Sequence, residues 1–402
     1  MRNILQVSFL SLTKMKNKLP NIKAMIRKII GYPFLTDVMK NRQVAKKKAL
    51  LVYIAKPFLL KPDDPRFHHH QNLKQSLQIT SLLAEKGYSV DVLDMTNPNR
   101  HINAKQYDLV ISHKVDFKAD FSETAIKIYL ATGLNHILHN RNVRARYDYL
   151  NGRRCCNLQA QRILPEHMPF VQEADYIFSF GNNYVKESWQ SYVDVPIYQF
   201  NNYAFQSITQ EDEKPYLRVK NNFLFFASGH QVGKGLDLAL DVFSQLPDLN
   251  LYVCSSFAAE SQFCKCFSRE LFHTSNIHSI GWISIDSPAF KDLVRKCGFL
   301  FYPTCSEGSA GAVIQCMQAG LVPILTPQSG IDIENFAVPL NSYRVEDIKN
   351  VVLDLVSQSD NWYQNRLVKM REVLRTKYGE DTFNKRWKEM LTEVLLTQQS
   401  HI

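Results

Sequence analysis

Residues Tyr302 to Ile331 read YPTCSEGSAGAVIQCMQAGLVPILTPQSGI. The apolar run 298–302 predicts a buried strand, the spacing of residues 310–319 predicts a helix that ends at Gly320, and residues 321–325 read as the next strand. The stretch is therefore a βαβ unit whose turn, 307–311, joins a strand end to a helix start. In open parallel sheets ligands bind at this edge, and the unpaired N–H groups of a helix start favour anions.

A second turn of this kind lies upstream, in residues 222–240, NFLFFASGHQVGKGLDLAL. The strand 223–227 runs into Ser228 and Gly229, and Lys234 and Gly235 precede an apolar helix. A lysine at the mouth of such a turn can neutralise a phosphate as a point charge. Two turns of this type predict a site that holds a diphosphate between them.

Together these segments resemble the nucleotide-sugar domain of GT-B glycosyltransferases, specifically the retaining, family-4 type (glycosyl transferases group 1). The resemblance is carried by KGLDLAL at 234–240, YPTCSEG at 302–308 and AGLVPI at 319–324. It covers residues 220 to 340 well and the remainder in outline, and these motifs are more specific than a lone G-x-G-x-x-G.

The resemblance implies an α/β fold of the GT-B type, with two doubly wound Rossmann-like domains that face a cleft. Strands expected at 49–55, 88–93, 107–112, 127–131 and 175–180, with a helix at 71–86, agree with a parallel sheet in the first half. We expect a basic leader at 1–48, an acceptor-side domain at 49–205 and a nucleotide-sugar domain at 206–378. The last segment, 379–402, would carry a helix that returns to the first domain, and the polar residues 200–221 would form the linker.

The implied reaction transfers a sugar from a nucleoside diphosphate sugar to a glycan or lipid-linked acceptor in polysaccharide biosynthesis, with retention of configuration. The leaving diphosphate needs stabilisation, which Lys234 and backbone N–H groups can supply. Glu307 would bind the sugar hydroxyls or support positive charge in the transition state. The expected donor-binding residues are Ser228, Gly229, Gly308, Ser309, Ala310, Gly311 and Gln315, the last at the ribose. The chain has no D-x-D motif, so we expect no metal and no cofactor beyond the donor.

Two departures from the family pattern keep other functions open. Gln315 stands where the pattern has a second glutamate, and the arginine usually found shortly before the lysine is replaced by Ser228, Gly229 and His230. A degenerate GT-B protein that binds a nucleotide or a partner without turnover is one alternative. A GT-B epimerase that acts on a UDP-sugar is the other.

Strand ends in the first half supply the acceptor-side candidates. His113 follows one strand, and Thr132, Gly133 and His136 follow the next; similar glycosyltransferases have a Thr-Gly pair at this place. Five arginines come afterwards and are expected in a basic loop, which either meets an anionic acceptor or is a solvated surface; they are Arg141, Arg144, Arg146, Arg153 and Arg154.

The formal net charge of +10 comes from the leader. Residues 1–48 contain twelve Lys or Arg and one acidic residue, so the remainder is nearly neutral. The segment 21–30 (NIKAMIRKII) has the spacing of a basic amphipathic helix, which either lies on an anionic membrane, together with the lysines from residue 14 onward, or packs on the first domain. No nucleic-acid motif accompanies it. The apolar run at 4–12 is too short to span a membrane and has no cleavage site, so we expect a cytoplasmic protein, which lies at the inner membrane face if the basic helix binds lipid.

The histidine triplet 68–70 and the eight cysteines do not predict a metal site. Adjacent histidines cannot easily face one ion, and the cysteines show no C-x-x-C pair. We expect the triplet in a loop that faces solvent or the cleft.

Overall fold

The structure, a computed structural model, describes residues 32–40, 43–68, 71–97, 102–205 and 214–399. The amphipathic helix predicted at 21–30 and the membrane-contact segment 14–30 lie outside the described residues, as do His69 and His70. Among the helices that the structure describes, none is long and apolar enough to cross a membrane.

Twelve strands are described, and they form two six-stranded sheets. The order in the first sheet is β2-β1-β3-β4-β5-β6, and the order in the second is β12-β11-β10-β7-β8-β9. The strands are β1 Lys47–Tyr53, β2 Tyr88–Asp94, β3 Leu109–Ser112, β4 Ile126–Ala131, β5 Tyr176–Phe180, β6 Ile197–Phe200, β7 Asn222–Phe226, β8 Asn250–Cys254, β9 Ile277–Ser279, β10 Phe299–Tyr302, β11 Val322–Leu325 and β12 Val338–Pro339.

The α-helices flank these sheets, as expected for alternating strands and helices. They are Gln71–Glu85, His136–Arg154, Pro169–Gln172, Asn183–Gln190, Tyr216–Val219, Gln231–Lys234, Leu236–Phe243, Ser261–Cys266, Ser268–His273, Pro288–Lys296, Gly311–Gln318, Val345–Ser357, Asp360–Thr376 and Glu380–Gln399. The α/β class predicted from the sequence is confirmed, with two parallel sheets and flanking helices.

The chain divides into two compact units. Of the described residues, the first contains 32–40, 43–64, 72–97, 102–129 and 169–173, and the second contains 65–68, 71, 130–168, 174–205 and 214–399. The domain boundaries expected from the sequence are not decided by this division and stay a prediction.

In the first unit, β1 lies between β2 and β3 and pairs with both in parallel register, with Ala49 opposite Val90 and Leu109. Leu50, Leu51 and Val52 are fully buried. A continuous apolar strand of this kind is typical of a parallel sheet that is covered on both faces.

In the second unit, β7 pairs with β8 on one side and with β10 on the other, so Phe223 lies opposite both Leu251 and Phe299. From β7 the chain first builds β8 and β9 on one side, and then crosses to build β10, β11 and β12 on the other. The point between β7 and β10 is therefore a topological switch point, where ligands bind in open α/β sheets.

The segment expected to form a linker, residues 200–221, is largely packed into the second unit where the structure describes it, and its role as a linker stays a prediction. Tyr203, Phe205 and Tyr216 are almost fully buried. The buried Lys214 ammonium donates to the carbonyls of Ala319 and Gly320, at 3.2 and 3.1 Å, where the helix Gly311–Gln318 ends. A cation at this end of a helix is favoured by the helix dipole.

The last helix, Glu380–Gln399, packs on β5 and β6 through aromatic rings. Trp387 is fully buried, with its ring centroid 5.2 Å from those of Phe178 and Phe200. The sequence predicts this helix at 383–396, inside the observed bounds.

Replacing Trp387 by Ala removes this buried ring and is expected to lower the free energy of unfolding by about 3–5 kcal/mol. Leu396→Ala, on the same helix, is the control, because the Leu396 side chain is 58% exposed. Urea denaturation compares the two variants, and equal losses would contradict the packing described here.

Candidate functional site

The two turns singled out in the sequence lie at the switch point of the second sheet. Lys234 ends the short helix that follows β7, and Glu307 follows β10, the strand that pairs with β7. Because both strands are parallel, their carboxyl ends meet at one edge of the sheet. The fold thus brings together two residues that are 73 positions apart.

Lys234 and Glu307 form an ion pair in this site. The Tyr302 hydroxyl also donates to Glu307 Oε1, at 3.2 Å. Only 11% of the Lys234 side chain and 16% of the Glu307 side chain are exposed. Burial, followed by repulsion from the Arg162 guanidinium, lowers the pKa of Lys234 to about 7; the Glu307 carboxylate acts against this shift because it favours the charged form. The Lys234 ammonium is therefore a largely buried cation whose ion-pair partner in the described structure is Glu307.

The first turn holds a carboxylate already. Glu260 accepts from the backbone N–H of His230 at 2.5 Å and from that of Gln231 at 3.2 Å. His230 has a left-handed backbone, with φ of 66°, and burial lowers its pKa to about 4, with Arg162 and Lys234 adding to the effect. Ser228 and Gly229 lie just before these N–H groups. A turn that orients two N–H groups toward a carboxylate is suited to bind anions.

The second turn is fixed by close backbone approach at Gly308. A Cβ atom on Gly308 would lie 2.1 Å from the Thr132 carbonyl oxygen, and one on Gly330 would lie 1.2 Å from the Gly308 oxygen. The ideal Cβ position of Gly181 lies 2.2 Å from the same Gly308 oxygen. The structure therefore requires glycine at these positions and brings Thr132 and Gly133 against the second turn, 307–311.

Backbone hydrogen bonds secure the same turn. The N–H of Glu307 donates to the carbonyl of Gln328 at 2.9 Å, and that of Ala310 donates to Ser329 at 3.1 Å. In the part of the chain that the structure describes, the N–H groups of Gly308, Ser309 and Gly311 meet no protein acceptor. These three groups can donate to an anion, whereas the Ala310 N–H is already used.

Gln315 and Ser309 contact the buried segment 202–205. The Phe205 N–H donates to Gln315 Oε1 at 2.9 Å, and Gln315 Nε2 donates to the Tyr203 carbonyl at 3.1 Å. Ser309 Oγ accepts from the Asn202 N–H at 3.1 Å. Since both ends of the Gln315 amide bond to backbone, these contacts favour a packing role, and its predicted bond to a ribose stays a prediction.

The acceptor-side candidates fall in both units. His113 lies in the first unit, after β3, with its ring centroid 5.6 Å from that of Tyr53. Thr132, Gly133 and His136 lie in the second unit, after β4. His136 is buried against Tyr192, with ring centroids 4.8 Å apart, and burial lowers its pKa.

The basic connection expected as a solvated or ligand-binding loop is instead the helix His136–Arg154, so the loop expectation is wrong. Arg146 is buried and donates to the Pro303 carbonyl at 2.9 Å. Arg153 pairs with Asp237 and Asp241, and Arg154 pairs with Asp241 and Glu270. Three of the five arginines therefore hold the helix in place and are not offered to a partner.

Three residues near the ion pair were not assigned from the sequence: Tyr302, Glu260 and Arg162. No local pattern marks Glu260 and Arg162, because each acts on residues far away in the chain, whereas Tyr302 bonds to a residue five positions further on. His139, in the helix His136–Arg154, lies with its imidazole 2.7 Å from both Ser306 Oγ and the Arg162 carbonyl oxygen.

Within the described ranges, no group of three or more His, Cys, Asp or Glu is placed to hold a metal ion. The site of the ion pair is thus built from one ammonium, one carboxylate and backbone N–H groups.

No protein-family model and no curated protein matches this chain. Solved structures do resemble it. Sucrose-phosphate synthase from Thermosynechococcus elongatus aligns with a TM-score of 0.60 at 11% identity, over 88% of this chain and 100% of the other. Anabaena Alr3699/HepE, in complex with UDP and glucose, aligns with a TM-score of 0.53 at 11% identity, over 86% and 100%.

A mutant of TarM from S. aureus, in complex with fondaparinux, alpha-GlcNAc-glycerol and UDP, aligns with a TM-score of 0.51 at 11% identity. The alignment covers 71% of this chain, which spans only 55% of the TarM chain. These neighbours are GT-B glycosyltransferases, so the GT-B fold expected from the sequence is confirmed.

Replacing Gly330 by Ala is expected to lower the free energy of unfolding by on the order of 3 kcal/mol, because the new methyl meets the Gly308 carbonyl and φ is +70°. Gly152→Ala is the control. No atom lies within 4 Å of its ideal Cβ position, and it sits in a helix, where alanine adds about 0.5–1 kcal/mol. Thermal unfolding followed by circular dichroism measures both, and a Gly330→Ala protein as stable as Gly152→Ala would contradict the close approach.

Proposed function

We propose that this chain is a glycosyltransferase that moves a sugar from a nucleoside diphosphate sugar to a glycan or lipid-linked acceptor. The observation that carries the proposal is the Lys234–Glu307 ion pair at the switch point of a GT-B sheet. The neighbours whose structures contain UDP support a nucleoside diphosphate as the leaving group.

In this proposal the diphosphate binds Lys234, together with N–H groups of Ser228, Gly229, Gly308, Ser309 and Gly311. The diphosphate displaces Glu307 from Lys234, which leaves the Glu307 carboxylate to bind sugar hydroxyls and to support positive charge at the anomeric carbon. Stabilising the departing charge in a buried site is worth more than it is in water. When the diphosphate replaces Glu307 on Lys234, the leaving group is bound and the Glu307 carboxylate becomes available to the sugar.

The acceptor enters on the side of Thr132, Gly133 and His136, and His113 stays a candidate that rests on the sequence alone. Retention of configuration follows if the acceptor attacks the face from which the diphosphate leaves, with a phosphate oxygen taking the acceptor proton. The acceptor is a glycan or lipid-linked intermediate of polysaccharide biosynthesis, and no metal takes part. The chain works in the cytoplasm, and residues 14–30 bind the inner membrane face. We retain the domain boundaries expected from the sequence, at residues 48, 205 and 378.

A second candidate is a GT-B protein that binds a nucleotide without turnover. The bonds of Gln315 to the backbone of Tyr203 and Phe205 favour it, since they take the amide away from a donor.

A thermal-shift panel of UDP, GDP, dTDP and ADP, each with and without magnesium, tests the donor site. Ligand at a hundred times its dissociation constant adds about 2.7 kcal/mol, which raises the melting temperature by several degrees. We expect one diphosphate to do so without magnesium. The absence of any shift would exclude the proposed donor site.

Glu307→Gln is expected to reduce turnover by at least about a hundredfold, because it removes the charge that faces the anomeric carbon. Affinity for the diphosphate should stay equal or increase, since Lys234 loses its competing carboxylate. Glu187→Gln, at an exposed helix position, is the control. Sugar transfer is measured by released diphosphate and binding by calorimetry. Unchanged turnover in Glu307→Gln would remove the role assigned to Glu307. A wild type that binds the diphosphate but transfers no sugar would favour the second candidate.

The lowered pKa of Lys234, about 7, predicts that diphosphate affinity falls as the pH rises from 7 to 9. Lysine loses its charge in this range, while the second ionisation of a phosphate, near pH 6, is complete. The loss can reach about tenfold per pH unit for one linked proton. Lys234→Arg should flatten the profile, because a guanidinium stays protonated. Calorimetry across this pH range decides, and a flat wild-type profile would contradict the prediction.

A further inference from the structure

Arg162 lies in the segment that follows the helix His136–Arg154, and its backbone is held from that helix. The His139 imidazole Nε2 lies 2.7 Å from the Arg162 carbonyl oxygen. Asn140 bonds to Leu164 twice, donating to its carbonyl at 2.9 Å and accepting from its N–H at 2.8 Å. Two neighbouring side chains of one helix therefore fix the backbone around Arg162.

The backbone of Arg162 is left-handed, with φ of 57°. This conformation costs free energy for a residue with a Cβ, and it persists only where the surroundings enforce it. The bonds from His139 and Asn140 enforce it here. These bonds therefore fix the direction in which the Arg162 side chain leaves the backbone.

His139 also connects Arg162 to Ser306, the residue just before the second turn, 307–311. His139 Nδ1 lies 2.7 Å from Ser306 Oγ, and Ser306 is the residue before Glu307. Burial lowers the pKa of His139, so the ring is neutral and bridges the two segments as one donor and one acceptor. Arg162 is therefore coupled to the turn that carries Glu307.

The Arg162 side chain forms no ion pair with any residue that the structure describes. Among the described residues, no carboxylate lies within 4 Å of its guanidinium, and the guanidinium makes no hydrogen bond. Its charge nevertheless reaches the site, because it helps to lower the pKa of both Lys234 and His230. The Arg162 charge therefore acts on the turn that ends in Lys234, where Glu307 pairs with Lys234 and Glu260 accepts from backbone N–H groups.

We propose that Arg162 binds the diphosphate of the donor together with Lys234, and so supplies from a distant segment the second cation that the first turn lacks. This inference rests on the proposed function. A guanidinium suits the task because its planar fork donates two parallel hydrogen bonds to phosphate oxygens. The exposed position of Arg162 leaves the guanidinium free to reach a ligand.

The experiment compares wild type with Arg162→Asn, Arg162→Lys and Arg218→Ala, by calorimetry with UDP in low and high potassium chloride. Asparagine tolerates the left-handed backbone, so Arg162→Asn removes the charge with little strain. Arg218→Ala removes an equal charge from an exposed helix position of the same unit. Melting temperatures without ligand verify that each variant is folded.

We expect Arg162→Asn to weaken UDP binding on the order of 10- to 100-fold, as for the loss of a charged hydrogen bond, and to reduce the salt dependence of binding. Arg162→Lys should recover part of this affinity at low salt, and Arg218→Ala should bind as wild type does. If the wild type binds UDP, but no more tightly than Arg162→Asn and Arg162→Lys do, the inference is overturned and the proposed function stays intact. A wild type that binds none of the four nucleoside diphosphates would overturn both.

Discussion

The close approach of backbones at Gly308 is the constraint on which the site depends. Its carbonyl oxygen lies where a side chain on Gly181 or Gly330 would have to be, and its own Cβ position is taken by the Thr132 carbonyl. Protein interiors resist such overlap strongly, so a turn confined in this way has one conformation. That conformation directs the neighbouring carboxylate, Glu307, toward Lys234, and it also explains why the turn is so rich in glycine and other small residues.

Charge is distributed unevenly around this turn. On one side, Arg153 and Arg154 are neutralised by Asp237, Asp241 and Glu270, which makes a closed cluster. Burial alone would lower the pKa of both arginines, yet their carboxylate partners raise it. On the other side, Lys234 pairs with Glu307, Glu260 bonds to backbone N–H groups, and Arg162 forms no ion pair with a described residue. A buried or confined cation without a full complement of anions is costly, so the second side gains most from an anionic ligand.

Local sequence patterns predicted much of the fold because they depend on neighbours in the chain. The strand expected at 298–302 is β10, the helix expected at 310–319 is Gly311–Gln318, and the strand expected at 321–325 is β11. The helix His136–Arg154 was missed because its arginines interrupt the apolar period. Those arginines are stabilised by carboxylates and carbonyls from about 85 to 155 residues further along, which no local pattern can reveal. The short strands β6, β8 and β9 were missed too, since three to five residues give little periodicity.

The same distinction applies to the candidate site. Glu307 and Lys234 could be found because each lies in the turn that follows a strand, and parallel strands bring their carboxyl ends to one edge. A cation from another segment is not marked by its position after a strand. The first turn therefore lacks a second positive charge when only its own residues are considered. In the folded chain the charge near a phosphate site is a sum over all segments that reach it. The absence of an arginine from the turn is therefore not an absence of positive charge, and the loss of a motif residue has to be judged against the residues that the fold delivers to the same place.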